Sequence, residues 1–192
     1  MTTTRTMTLG GFALAGLLQA AAPVPALAHG TGAAAHAAAP AAVLPQLAEV
    51  RRATAGFHDV HAAIGAGYAP FQDKNGIYCI DHPTEGAMGI HYVNGGLVGD
   101  AVLEATKPEA LIYAPMPDGT LRLVGMEYIV FQSAWHAVPG HTQPPRLFGQ
   151  TFHAGGADNR YGIPAYYALH LWLWDHNPSG LFEDWNATVR CP

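Results

Sequence analysis

Leu169-His170-Leu171-Trp172-Leu173-Trp174-Asp175-His176-Asn177-Pro178 alternates aliphatic residues with aromatic or polar ones, the period of a β-strand with two unlike faces. Leu169, Leu171 and Leu173 share one face, and His170, Trp172, Trp174 and His176 share the other. His170 therefore projects among large aromatic rings. A polar group in that company needs a hydrogen-bond partner, a carboxylate or a metal ion.

Working outward, residues 88–93, 110–114, 121–131 and 164–174 are rich in aliphatic and aromatic residues and are separated by Gly, Pro, Asn and Asp, so each reads as a strand. Pro117-Asp118-Gly119 has hairpin-turn chemistry, which makes the second and third strands antiparallel neighbours. Residues 133–160 read as one long loop anchored by Leu147-Phe148-Gly149, and a loop of that length is usually functional. Upstream, Leu47, Val50, Thr54, Phe57, His61, Ile64 and Tyr68 recur at helical spacing, predicting one long amphipathic helix over 44–66 that Gly65, Gly67 and Pro70 terminate. One helix followed by strands predicts an α+β fold, the helix covering an antiparallel sheet or plugging an incomplete β-barrel. No internal repeat is visible.

Residues 1–28 have the order of a signal peptide: Arg5 in a short polar start, an apolar run from Leu9 to Ala22, then Ala26-Leu27-Ala28 for cleavage. The run is shorter than the ~20 residues of a spanning helix and is followed by Pro23 and Pro25. No later segment is long and apolar enough to span, so an exported protein, secreted or periplasmic, is expected. Residues 29–42 are an alanine-rich lead with little to bury, leaving 43–192 as a single globular domain. The formal charge of −5 argues against nucleic acid or an anionic membrane as partner. Cys79 and Cys191 are the two cysteines of the chain. In an oxidising compartment they form a disulfide closing a long loop; a thiolate metal site would want a second cysteine close by.

Glu127 stands in the apolar strand 121–131, where a carboxylate has to be paired, ligating or protonated. On simple alternation it shares a face with Leu121, Leu123, Ile129 and Phe131. His91 occupies the middle of strand 88–93. If these strands are neighbours in register with 164–174, then His91, Glu127 and His170 converge. Two imidazoles and a carboxylate suit a divalent transition metal such as zinc, iron or copper, with positions open for water or substrate. The same three groups could instead hydrogen-bond one another and hold the sheet in register. His58 and His61, near each other on the predicted helix, can also ligate or simply pack. His29 would become an N-terminal histidine after cleavage, a copper-chelating arrangement, but on a lead too irregular to organise it. His82, His136, His141 and His153 lie in loops and read as exposed. P-loop, nucleophile-elbow and dinucleotide motifs are absent.

Met88-Gly89-Ile90-His91-Tyr92-Val93-Asn94, Leu123-Val124-Gly125-Met126-Glu127-Tyr128, Leu147-Phe148-Gly149 and the run from Leu169 to Phe182, with Trp185-Asn186 and Cys191-Pro192, resemble a family of exported bacterial hypothetical proteins. The likeness extends from about Thr54 onward and includes Phe57-His58-Asp59-Val60 and Ala66-Gly67-Tyr68. It implies export and carries no activity. Gly95-Gly96 departs from the Pro-Ala usual in that family. His58, His91, Glu127, His170 and His176 match its pattern, whereas His61, His82 and His141 do not. The resemblance therefore raises His58 as a fourth ligand.

The chain is thus expected to be a secreted metal-binding protein, with His91, Glu127, His170 and His58 as ligands and His176 or Tyr92 as a further partner or proton donor. As an enzyme it would activate water or dioxygen. The alternative is a barrel-like module that binds a small apolar ligand against Trp172, Trp174 and Tyr128 without catalysis.

Overall fold

The computed structural model describes Met1 and residues 42–192; the expected signal peptide, the lead and His29 lie, Met1 and Ala42 apart, outside the described residues. Helix α1 (Leu44–Thr54) starts with proline in its first turn, where a missing N–H costs nothing. It buries Leu47, Val50 and Thr54 on one stripe. Arg51 and Arg52 occupy the last turn, complementing the negative end of the helix dipole.

The predicted long helix is not formed. After Thr54 the chain tightens into a 3₁₀ turn, Ala55–His58, and Asp59 is extended, with φ −87° and ψ 110°. Its carboxylate accepts the amide of His61 at 2.9 Å and so caps a new short helix, α2 (Val60–Gly65). Asp59 stabilises the break because its side chain satisfies a donor that a continuous helix would have used internally. The apolar stripe fails beyond it, and Ile64 is 50% exposed.

The strands are β1 (Ala69–Pro70), β2 (Cys79–His82), β3 (Gly86–Val93), β4 (Ala110–Pro115) and β5 (Leu121–Phe131), then β6 (Arg146–Leu147), β7 (Gln150–Thr151), β8 (His153–Gly155) and β9 (Tyr166–Leu171). Short helices α3 (Gly95–Val98) and α4 (Gln132–Ala137) interrupt them. Seven strands form one sheet in the order β1-β3-β4-β5-β9-β8, with β2 also paired to β3; β6 and β7 pair separately. All pairings are antiparallel and the sheet is open, which resolves the choice between sheet and barrel. The β4–β5 hairpin is the expected one: Asp118 Oδ1 accepts from the Thr120 amide at 3.0 Å and Gly119 takes φ +84°. The stretch read as a long loop contains α4, β6, β7 and β8, and Phe148 and Phe152 bury their rings in the main core.

That core lies between α1 and one sheet face. Val50 and Leu47 meet Leu111, Tyr113, Leu123, Met126, Tyr128, Leu169 and Leu171. Leu123 and Met126 share this face because Val124 is an extra residue: Ile112 pairs with Gly125 and Tyr113 with Leu123. This β-bulge exchanges the faces on either side of it. Leu121 and Leu123 consequently face the helix, whereas Glu127 and Ile129 face away, contrary to the single alternation read from the sequence. A Cβ on Gly125 would stand 2.9 Å from the Leu171 carbonyl, so the close approach at the bulge requires glycine.

The Val124 carbonyl accepts the amides of Trp174 and Asp175, at 3.1 and 3.0 Å. These bonds end the alternation of the last strand. Leu169, Leu171 and Leu173 face the helix as expected, and Trp172 packs on the opposite face, but Trp174 turns back to the helix side. There its indole N–H donates to Thr54 Oγ1 at 3.1 Å and its ring carries the Arg51 guanidinium at 4.7 Å.

The Cys79–Cys191 disulfide is formed and ties the C-terminal tail to β2. Ala87 and Asn186 exchange two backbone hydrogen bonds of 3.1 Å, holding the same tail along β3.

Candidate metal centre

His91, Glu127 and His170 come together on the sheet face turned away from α1. Glu127 and His170 are direct cross-strand partners on β5 and β9. His91 approaches from β3, with β4 intervening, and the residue of β4 opposite Glu127 is Ala110. That small side chain leaves the space in which the three longer ones meet. All three residues are buried. One donor atom from each can be chosen so that all lie within 4.8 Å of one another.

His91 Nε2 is 3.4 Å from Glu127 Oε2, and His170 Nε2 is 3.8 Å from Glu127 Oε1. On the far side of its ring, His170 Nδ1 faces Asp184 Oδ1 at 3.3 Å. A carboxylate on Nδ1 orients the ring and presents Nε2 inward, the usual support for a metal-bound imidazole. The same Asp184 oxygen lies 3.3 Å from Nδ1 of the exposed His153, which thereby joins the periphery of the site. Asp184 is delivered by the tail that the disulfide and the Asn186 bridge hold in place.

Neither nitrogen of His91 and neither nitrogen of His170 makes a well-aligned hydrogen bond among the described residues. The Nε2 atom of each ring is turned toward the buried Glu127 carboxylate, and leaving both unsatisfied there is costly unless something else fills the space between them, because an unsatisfied buried polar group costs ~1–3 kcal/mol. Burial, with the neighbouring His170 and Arg160 charges, pushes the His91 imidazole down to about 3, so it is a neutral lone-pair donor at any ordinary pH. Burial raises the Glu127 carboxyl; the charge of His170 opposes that rise. For His170 burial works downward, and the charges of Glu127 and Asp184 outweigh it, raising the imidazole. With both rings deprotonated, the set offers a cation two nitrogen donors and a carboxylate.

Two cavities flank the triad. One, of about 180 Å³, is bounded by Phe71, His91, Val93, Val98, Glu127, Ile129, Phe131, Tyr161, Ile163 and Tyr166, with Gly95. The other, of about 190 Å³, has Glu127, His170, Asp184, Arg160 and His153 in its wall and shares Tyr161 and Tyr166 with the first. Tyr161 stands edge-on to His91, ring centres 6.3 Å apart. It belongs to a loop fastened by Arg160, whose Nη2 donates to Asp73 Oδ2 at 3.0 Å and whose carbonyl accepts the Lys74 amide at 3.0 Å. Tyr166 lies over Gly155 on β8, where a Cβ would overlap the ring.

The other predicted participants are elsewhere. His58 is exposed and packs edge-on against Trp174, 4.3 Å between ring centres, on the helix side of the sheet. Tyr92 is buried in the main core against Tyr113, also on that side. His176 is exposed, and its amide donates to its neighbour Asp175. Tyr128 is in the main core and donates to the Ala105 carbonyl, so it makes no ligand surface with Trp172 and Trp174. The residues missed were Asp184, Arg160, Tyr161 and Tyr166. A lone Arg-Tyr pair and a tail aspartate carry no periodic signal, and only the chain path brings them to the triad.

Compared with family models, curated proteins and solved structures, the chain matches none.

Proposed function

We propose that this is an exported metal-binding protein in which His91, Glu127 and His170 hold one divalent transition metal, zinc, iron or copper, that activates water or dioxygen. The observation that carries the reading is the pair of buried Nε2 atoms of His91 and His170, without aligned hydrogen bonds and 3.4 and 3.8 Å from the buried Glu127 carboxylate. Donors on a tetrahedral ion with bonds of ~2.1 Å lie ~3.4 Å apart, a spacing that the His91–Glu127 pair already has. Three protein ligands leave a coordination position for water or substrate, which is the chemistry of catalytic rather than structural sites. Export is supported by the disulfide. No helix among the described residues is long and apolar enough to cross a membrane.

The test is elemental analysis of the purified, dialysed protein. One equivalent of metal per chain is expected, falling below a tenth in His91→Ala, Glu127→Gln and His170→Ala. Double variants should lose little more, because ligands acting as a unit are non-additive. A wild-type protein that retains no zinc, iron or copper after exposure to each would overturn the proposal.

A further inference from the structure

We infer that the molecule this centre receives is uncharged and about the size of one aromatic ring, seated in the apolar cavity beside His91 and Glu127. The inference deepens the metal reading by naming what lies next to the open coordination position, and it rests on that reading for the metal alone. The cavity follows from the sheet register. Val93 and Glu127 both pair with Ala110, and Ile129 and Phe131 continue along β5 from the carboxylate. A row of apolar side chains thus leads away from the triad on its own face. Phe71 and Tyr161 also line it, their ring centres 5.8 Å apart, and Ile163 comes from the same loop as Tyr161. Val98 of α3 packs with Ile129 and Ala110.

Volume and chemistry both restrict the occupant. An apolar cavity of roughly 150 Å³ lined by aliphatic and aromatic side chains stays dry and accepts benzene. The present one, about 180 Å³ and open on one side, has room within its apolar part for a substituted ring of that kind. No Lys or Arg lines it, and Glu127 is the sole acidic group in its wall. Away from the metal, an anion would be desolvated against apolar walls with no cationic side chain to meet it, and a cation would forfeit its hydration with one carboxylate that the metal already engages. Among the side chains that line it, those of His91, Glu127, Tyr161 and Tyr166 carry the polar groups.

The experiment uses 4-fluorotoluene as the probe and 4-fluorobenzoate as its charged counterpart, observed by fluorine NMR with the full mature protein. Metal-free wild type should bind one 4-fluorotoluene per chain and 4-fluorobenzoate at least a hundredfold more weakly. Val98→Phe, which fills the cavity away from the triad, should weaken 4-fluorotoluene at least tenfold while leaving zinc uptake unchanged. In cobalt(II)-loaded wild type the bound fluorine resonance should be paramagnetically shifted or broadened. Absence of 4-fluorotoluene binding, or equal binding of the benzoate, overturns the inference with the wild-type protein alone, however Val98→Phe behaves. Undiminished binding in a folded Val98→Phe protein overturns the location. Cobalt that fails to bind overturns the metal reading, and 4-fluorotoluene binding would then still establish the ligand class.

Discussion

Glu127→Gln keeps the shape and hydrogen-bonding reach of a buried side chain that lies 3.4 Å from one imidazole and 3.8 Å from another, and removes its charge. In the metal-free protein two effects oppose each other. The desolvation cost of the ionised carboxyl disappears, and His170 loses one of two acidic neighbours while keeping Asp184 at 3.3 Å. The melting temperature without metal should therefore stay within ~4 °C of wild type, on the order of 1 kcal/mol for a domain of this size. The loaded protein behaves differently. Zinc at a hundred times its dissociation constant stabilises a folded site by ~2.7 kcal/mol, and at ~2–4 °C per kcal/mol that raises the wild-type midpoint by roughly 5–11 °C. In Glu127→Gln at the same zinc concentration the rise should vanish. Scanning calorimetry with and without zinc after chelator treatment measures both arms. An undiminished zinc shift in the variant would remove Glu127 from the ligand set. A metal-free variant that melts more than ~10 °C below wild type would mean that the carboxylate serves the sheet as a structural partner and not a metal.

Three further outcomes are expected. Asp184→Asn leaves the three ligands in place but weakens the acceptor on His170 Nδ1, so metal affinity should fall by ~10–100-fold in a competition titration. Cys191→Ser opens a link between residues 112 apart and should cost at most ~4–5 kcal/mol in denaturant unfolding, with a matching loss when wild type is reduced. Glu109 is fully buried and accepts the Ile129 amide at 3.0 Å; burial raises its carboxyl to about 8. A raised acid contributes stability that is complete below its unfolded value of ~4.3 and is lost as pH rises through about 8, so Glu109→Gln should exceed wild type by up to several kcal/mol at pH 8.5 and converge with it near pH 4.5. Equal pH slopes in urea unfolding of the two proteins would refute that assignment.

Period-two alternation is a local property, and it was enough to place His91, Glu127 and His170 on strands, as the turn chemistry of Pro117-Asp118-Gly119 was enough to find the β4–β5 hairpin. The cysteine count likewise implied the disulfide. Helical spacing over 44–66 misled because apolar periodicity does not register one residue's backbone: Asp59 is extended, and its carboxylate begins a second helix. The faces of β5 could not be read at all, since the Val124 bulge is decided by how β4 and the Trp174-Asp175 segment pair with it. Composition and alternation thus determined that a carboxylate and two imidazoles would be buried on strands. Register determined that they meet, and the folded path of the tail and of the Arg160-Tyr161 loop determined their surroundings. Those are contacts between residues far apart in the chain, whose free energy depends on mutual placement and leaves no periodic trace in either partner's own sequence.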